Sequence, residues 1–284
     1  MRRVVVFWVV FLGGMSIEQA YPEKVPQGWW LSQTLGASIN PVGIDTTSRF
    51  SFKSPLYPDK EGLLWNSAHW EFGAENSLTP AYDTFSFVLR LEPIAFFDLR
   101  LQGGIRYAYD ALGFGYTPLP DYDAPFDSDS RRDLDRTDGF GFRYQISPTL
   151  KGAVGNILFA STFHGVVYDM QSLKDVEESY FYEPSANLVL KKRDGYVGNE
   201  TVLAYRCSGT GFLLGVIHAI LYVPASGYVT ERFSVLGNYG TSLNAKTGIF
   251  FSLLAGYYPR DRYLSYREGK VYGAFQIGIN RKPF

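Results

Sequence analysis

The chain has 284 residues, and its 27 Lys and Arg against 28 Asp and Glu leave a net charge of -1, which gives no electrostatic reason to expect nucleic acid as a partner. A single cysteine, Cys207, excludes an intramolecular disulfide framework. With 21 Tyr and 22 Phe, aromatics reach 17% of the chain, while mean hydropathy stays middling; that combination suits a structure in which only alternate residues meet an apolar phase.

Arg2 and Arg3 precede a continuous apolar run, Val4 to Leu12, followed by Gly13, Gly14, Met15 and Ser16. A basic start, a short apolar stretch and small residues at the exit read as a secretory signal peptide over 1–16, with cleavage as late as residue 20 left open. A retained anchor is the competing reading, against which the run is too short to span a bilayer comfortably. No cysteine stands near the cut, which argues against a lipoprotein. Residues 17–28 then form a short connecting segment before the first strand.

The rest of the chain repeats one pattern. In "FFDLRLQGGIRYAYD" (96–110), Phe97, Leu99, Leu101, Ile105 and Tyr107 alternate with Asp98, Arg100, Gln102, Arg106 and Ala108. A period of two is that of a strand with one apolar and one polar face. The same alternation sets Phe50 and Phe52 against Arg49, Ser51 and Lys53, and Phe85, Phe87, Leu89 and Leu91 against Thr84, Ser86, Arg90 and Glu92. It continues with Phe140, Phe142, Tyr144 and Ile146 against Arg143, Gln145 and Lys151, and returns near the end with Phe275, Ile277 and Ile279. Thirteen segments carry strand signals, near 29–40, 46–56, 63–75, 82–92, 95–110, 139–152, 156–170, 179–193, 196–207, 211–223, 228–238, 242–257 and 269–281.

A soluble sandwich or a lipocalin-like barrel also alternates. The aromatic weight of the apolar faces and segments long enough to cross a bilayer as tilted strands, for which about 9–11 residues suffice, favour a membrane barrel. A sheet in lipid must also close, because an open edge leaves backbone groups unpaired in hydrocarbon. The predicted fold is therefore all-β, a transmembrane antiparallel up-and-down barrel. Single-chain barrels of bacteria normally use an even number of strands, with longer connections on the outer side. The longest connections, 111–138 and 257–269, both belong outside only if one segment between them does not span. The segment 179–193 is the one to remove, since Pro184 interrupts it and Lys191, Lys192 and Arg193 crowd one end. Twelve strands are expected over 29–284, with ten and fourteen open, and long outer loops near 111–138 and 171–196.

The signal peptide, the serial alternating segments, the aromatic faces and a terminal Phe284 together resemble bacterial outer-membrane β-barrel proteins. The resemblance covers nearly the whole mature chain; it is architectural and carries no specific motif. Segments such as "SPLYPDKEGLLW" and "LEPIAFFDLRLQ" also look like those of a group of barrel proteins to which no established activity attaches. The resemblance implies outer-membrane lipids and lipopolysaccharide as surroundings, and the barrel-assembly machinery as a partner.

Function is less legible. Polar-phase residues His69, Glu71, Arg90, Glu92, Asp98, Arg100, Arg106, Arg143 and Lys151 would line the lumen, where such a ladder either borders an aqueous path or pairs off and plugs a narrow barrel. The expected role is a passive, porin-like channel or a structural barrel, with no cofactor and no catalytic residue assigned. One alternative is an outer-membrane lipid-modifying hydrolase; among the three histidines, His164 has Ser161, Thr162 and Asp169 near it in sequence. The other is a calcium- or ligand-binding surface receptor using the acidic loop 121–138, in which Asp127, Asp129, Asp133 and Asp135 are weak calcium candidates. Phosphate-loop, CxxC, HExxH and dinucleotide-binding patterns do not occur.

Overall fold

The structure is a computed structural model that describes residues 24–39, 43–110, 116–124, 136–172, 180–186, 188–244, 246–261 and 268–282. The signal segment and Phe284 lie outside these residues. Its strands in chain order are β1 (Gly28–Ile39), β2 (Gly43–Pro55), β3 (His69–Leu78), β4 (Tyr82–Ile94), β5 (Phe97–Ala108), β6 (Pro118–Leu119), β7 (Gly139–Val154), β8 (Ile157–Asp169), β9 (Tyr180–Glu183), β10 (Leu188–Lys191), β11 (Arg193–Arg206), β12 (Phe212–Val223), β13 (Tyr228–Ser242), β14 (Thr247–Asp261) and β15 (Val271–Arg281). Twelve of them close into one antiparallel barrel, and β6, β9 and β10 form a separate three-stranded sheet. Closure joins β1 to β15 in register from Leu31↔Arg281 to Ile39↔Gly273. Among the described residues no helix is long and apolar enough to cross a membrane.

Alternation in sequence becomes two surfaces. On β4, outward Phe85, Phe87, Leu89 and Leu91 are 38–57% exposed, while inward Thr84, Ser86, Val88, Arg90 and Glu92 are at most 5% exposed. Aromatic side chains reinforce the outer band, as where Trp29 and Phe50 stack with ring centres 4.7 Å apart across β1 and β2. So much exposed apolar surface would be an aggregation liability in water and is the expected coat of a barrel in lipid.

Connections sort by length. At one end are 95–96, 155–156, 207–211 and 243–246, all short, together with 56–68. Gly155, at φ 58, makes the two-residue turn from β7 to β8 with Asn156, a hairpin geometry that asks for a left-handed residue. The other end carries 109–138, 170–192 and 262–270 alongside three short turns.

The barrel count agrees with twelve, as does the non-spanning 179–193, while two segments differ in detail. Residues 63–68 are turn rather than strand: Trp65 and Asn66 both donate backbone N–H bonds to the Gly62 carbonyl, and Lys60 lies over the rings of Tyr57 and Trp65. Gly-Leu-Leu-Trp is a run of neighbours without alternation, so β3 starts only at His69. The stretch 95–110 spans as Phe97–Ala108. Segment 179–193 does not span; it folds back as the β9–β10 hairpin.

That hairpin positions the site. Pairing of β9 with β6 gathers the two longest connections into one sheet. Phe181, Leu188 and Leu190 from this sheet are fully buried, clustered with Tyr168 and Met170 at the head of β8, Tyr196 of β11 and Val223 of β12. These barrel positions all lie at the long-loop end, so the small sheet sits in that mouth of the barrel.

Candidate functional site: the charged interior wall

Five adjacent strands, β2, β3, β4, β5 and β7, turn their ionisable side chains inward. Strand pairing brings carboxylates and cations from neighbouring strands level with one another, as in Lys53↔Glu71↔Arg90↔Arg100. Glu75 accepts from Arg49 at 2.5 Å and from Arg100 at 2.8 Å. Glu71 lies 3.4 Å from Lys53 and 3.9 Å from Arg90. Arg90 also reaches Glu92 at 3.5 Å and donates from Nε to Asp98 at 2.6 Å. Glu92 in turn meets Lys151 of β7 at 2.8 Å. His69 Nδ1 lies 2.7 Å from the Ser67 carbonyl. The network therefore runs without a break across the strands, nearly all of it excluded from solvent. Desolvating so many charges is tolerable only because each carboxylate has cations against it.

Two of the sequence-predicted residues stand apart from it. Arg106 meets Glu183 of the β9–β10 hairpin at 2.7 Å and lies flat on the Tyr82 ring, 3.5 Å from its centre. This contact ties the mouth sheet to the barrel wall. Arg143 donates to the Tyr168 hydroxyl at 3.1 Å and to Gln145 at 2.5 Å.

The opposite interior wall has a different character. Leu158, Val202, Leu213, Ile217, Leu236 and Leu254 form an apolar cluster there, with one inward ion pair, Arg232–Glu200 at 3.6 Å. Sequence reading passed over both this apolar lining and Glu183, because inward and outward residues are alike apolar on β12 and because a loop residue gives no periodic signal.

Several inward polar atoms have no partner among the described residues: Thr34 Oγ1 and Ser86 Oγ, His164 Nε2, Asn238 Oδ1 and Gln276 Oε1, spread over β1, β4, β8, β13 and β15. Buried polar atoms left without partners cost free energy unless water or a solute supplies the bond.

The other candidates are placed as follows. Ser161 faces outward, away from His164; Thr162 faces inward and bonds Thr149 at 2.8 Å. The hydroxyl that meets His164 Nδ1, at 3.1 Å, is Ser147 of β7, a neighbour set by register and not by sequence distance. Among the described residues no carboxylate bonds this imidazole, so the orienting group of a nucleophilic triad is not seen here. Asp127, Asp129, Asp133 and Asp135 lie outside the described residues. Among those described, no group of three or more metal-ligating side chains converges.

Comparison with solved structures finds bacterial outer-membrane barrels. A NanC porin aligns over 89% of this chain and 99% of its own, at 10% identity and a TM-score of 0.44. KdgM porin covers 90% and 99% at 6% identity and 0.40. A loop-deletion variant of OmpT, an outer membrane protein of Vibrio cholerae, covers 90% and 98% at 7% identity and 0.38. Likenesses this distant assign no activity. No protein-family model matches the chain, and no curated protein matches it.

Proposed function

We propose that this chain is an outer-membrane barrel acting as a narrow, porin-like channel for small ions and polar solutes, with the short-turn end in the periplasm and the long-loop end outside. The supporting observation is the set of inward polar atoms on β1, β4, β8, β13 and β15 that have no partner among the described residues. Their missing bonds would be supplied by water or solute admitted to the interior, and water along a charge-lined interior would be a conducting path. A barrel filled only for stability would do as well with apolar packing, since replacing buried ion pairs by hydrocarbon is often neutral or favourable. In the geometry described, the mouth sheet narrows this path, held by Arg106–Glu183 and by the apolar cluster around Phe181.

Planar-bilayer recording on the refolded chain tests the reading. The intact protein should give small current steps proportional to salt. Deletion of 180–191 should enlarge them severalfold, and Glu183→Gln should raise the frequency of open events. A correctly folded barrel that stays silent both intact and with the hairpin removed would overturn the channel and leave a structural barrel.

A further inference from the structure

The outer wall is not uniformly apolar. Across β8, β11, β12 and β13 runs a row of outward polar side chains, of which Ser161, Thr201 and His218 stand at directly paired positions, while Glu231 stands opposite Ile220 on one side and the exposed Arg260 of β14 on the other. Ser161 pairs with Thr201, and Thr201 pairs with His218. Ser161 and Thr201 hydroxyls lie 3.0 Å apart, Asn199 donates to Ser161 at 3.0 Å, and Thr201 donates to Asn199 at 2.9 Å. His218 Nε2 meets Glu231 at 2.8 Å, its ring stacked 4.4 Å from that of Phe233. The row lies inside the apolar band: Phe159, Phe163, Leu203, Val216, Phe233 and Val235, from 40 to 61% exposed, flank it along the same strands.

Its position is costly if lipid covers it. Ionisable side chains on the lipid face of a barrel are unfavourable, the more so the deeper they lie. The His218 and Glu231 side chains remain 36% and 29% exposed. The wall made by β1 to β4 has neutral outward Gln33, Ser48 and Asn76, the last donating to outward Asp83 at 2.5 Å, and among the described residues no outward ion pair like His218–Glu231. Beside the row, Gly165 and Gly195 floor a shallow groove edged by Tyr144, Ile146, Val167 and Val197, and small residues are what allow close approach of walls in a membrane.

We propose that this row is the contact through which a second copy of the chain packs, in a two-fold pair whose axis runs along the membrane normal. The row is self-complementary: it carries an acid, a base and hydroxyl and amide groups that both donate and accept. With that axis, both copies present His218 and Glu231 at the same height, so the imidazole of one meets the carboxylate of the other. The row spans four adjacent strands, roughly 15 Å at the ~4.8 Å spacing of a sheet, and its apolar flanks seal it from lipid on both sides.

Sedimentation equilibrium of the refolded full chain in density-matched detergent tests this. Wild type should sediment as a dimer. The double variant His218→Leu, Glu231→Leu should be a folded monomer, with self-association weakened by about tenfold or more, while Gln33→Leu on the far wall should stay dimeric. A monomeric wild type, or a double variant that keeps its dimer, overturns the proposal. Should the double variant not fold, a Phe233→Cys, Cys207→Ala chain in native membranes decides, since position 233 pairs with His218 and lies beside the proposed axis: a disulfide-linked pair of this chain supports the contact. No cross-link, or a cross-link to a different protein, overturns it.

Discussion

Glu92 is fully buried between Arg90 and Lys151. Glu92→Ala would leave the Lys151 ammonium without its carboxylate, while Arg90 keeps Asp98 and Glu71. Breaking a buried pair from one side typically costs about 3–5 kcal/mol, so urea titration of the refolded variant should show a loss of that order, with the barrel still forming. Gly104 tests shape instead of charge. A Cβ there would stand 2.0 Å from the Phe85 carbonyl oxygen and 2.5 Å from the Ser86 Cα, backbone atoms that no rotamer change can move. Gly104→Val should therefore sharply lower the yield of folded, heat-modifiable barrel on a gel, whereas Gly152→Val, with nothing within 4 Å of its added Cβ, should leave the yield near that of wild type.

The mouth sheet is the element whose stability is separable from the barrel's. Its strands are two to four residues long, too short to persist alone, and it holds by Phe181, Leu188 and Leu190 inserted among Tyr116, Tyr168 and Met170. Phe181→Ala removes the central ring; a core Phe→Ala change costs about 3–5 kcal/mol, which exceeds what so small a sheet can spare. Hydrogen exchange should then rise across 180–191 and 116–124 while the barrel strands keep their protection. The elements show what a sequence yields and what it withholds. The parity of long connections and the Pro184 interruption were enough to remove 179–193 from the spanning set. Alternation also located β4, β5 and β7, because polar and apolar residues sorted cleanly there. It began β3 too early, at 63, where consecutive apolar residues mimic strand content, and it could not show that the removed segment returns to the barrel mouth. That return depends on pairing between two loops about sixty residues apart, for which neither loop has a local signature.

At the scale of the molecule, sheet closure converts a one-dimensional pattern into neighbours, and the candidate site lives in that conversion. The types of the interior residues could be read from polar phase, but their partners could not: Arg100 finds Glu75 across an intervening strand, and His164 finds Ser147, because register fixes which alternate residue lies opposite which. The outer wall was harder still. Ser161 and Thr201 break a β-strand pattern only weakly, and His218 sits in a run apolar on both faces, so the row they form with Glu231 becomes visible only once four strands stand side by side.

The seam between β1 and β15 has a kinetic meaning. Its pairs run from Leu31↔Arg281 to Ile39↔Gly273, joining residues from opposite ends of the described chain, whereas most other seams link strands adjacent in sequence. A contact of such sequence separation is slow to form because the loop-closure entropy of almost the whole chain precedes it. Until it forms, the molecule is an open ribbon with two bare edges, each a template for the wrong partner. The time spent as that ribbon, more than the stability of the finished cylinder, sets how much of the chain reaches the closed barrel.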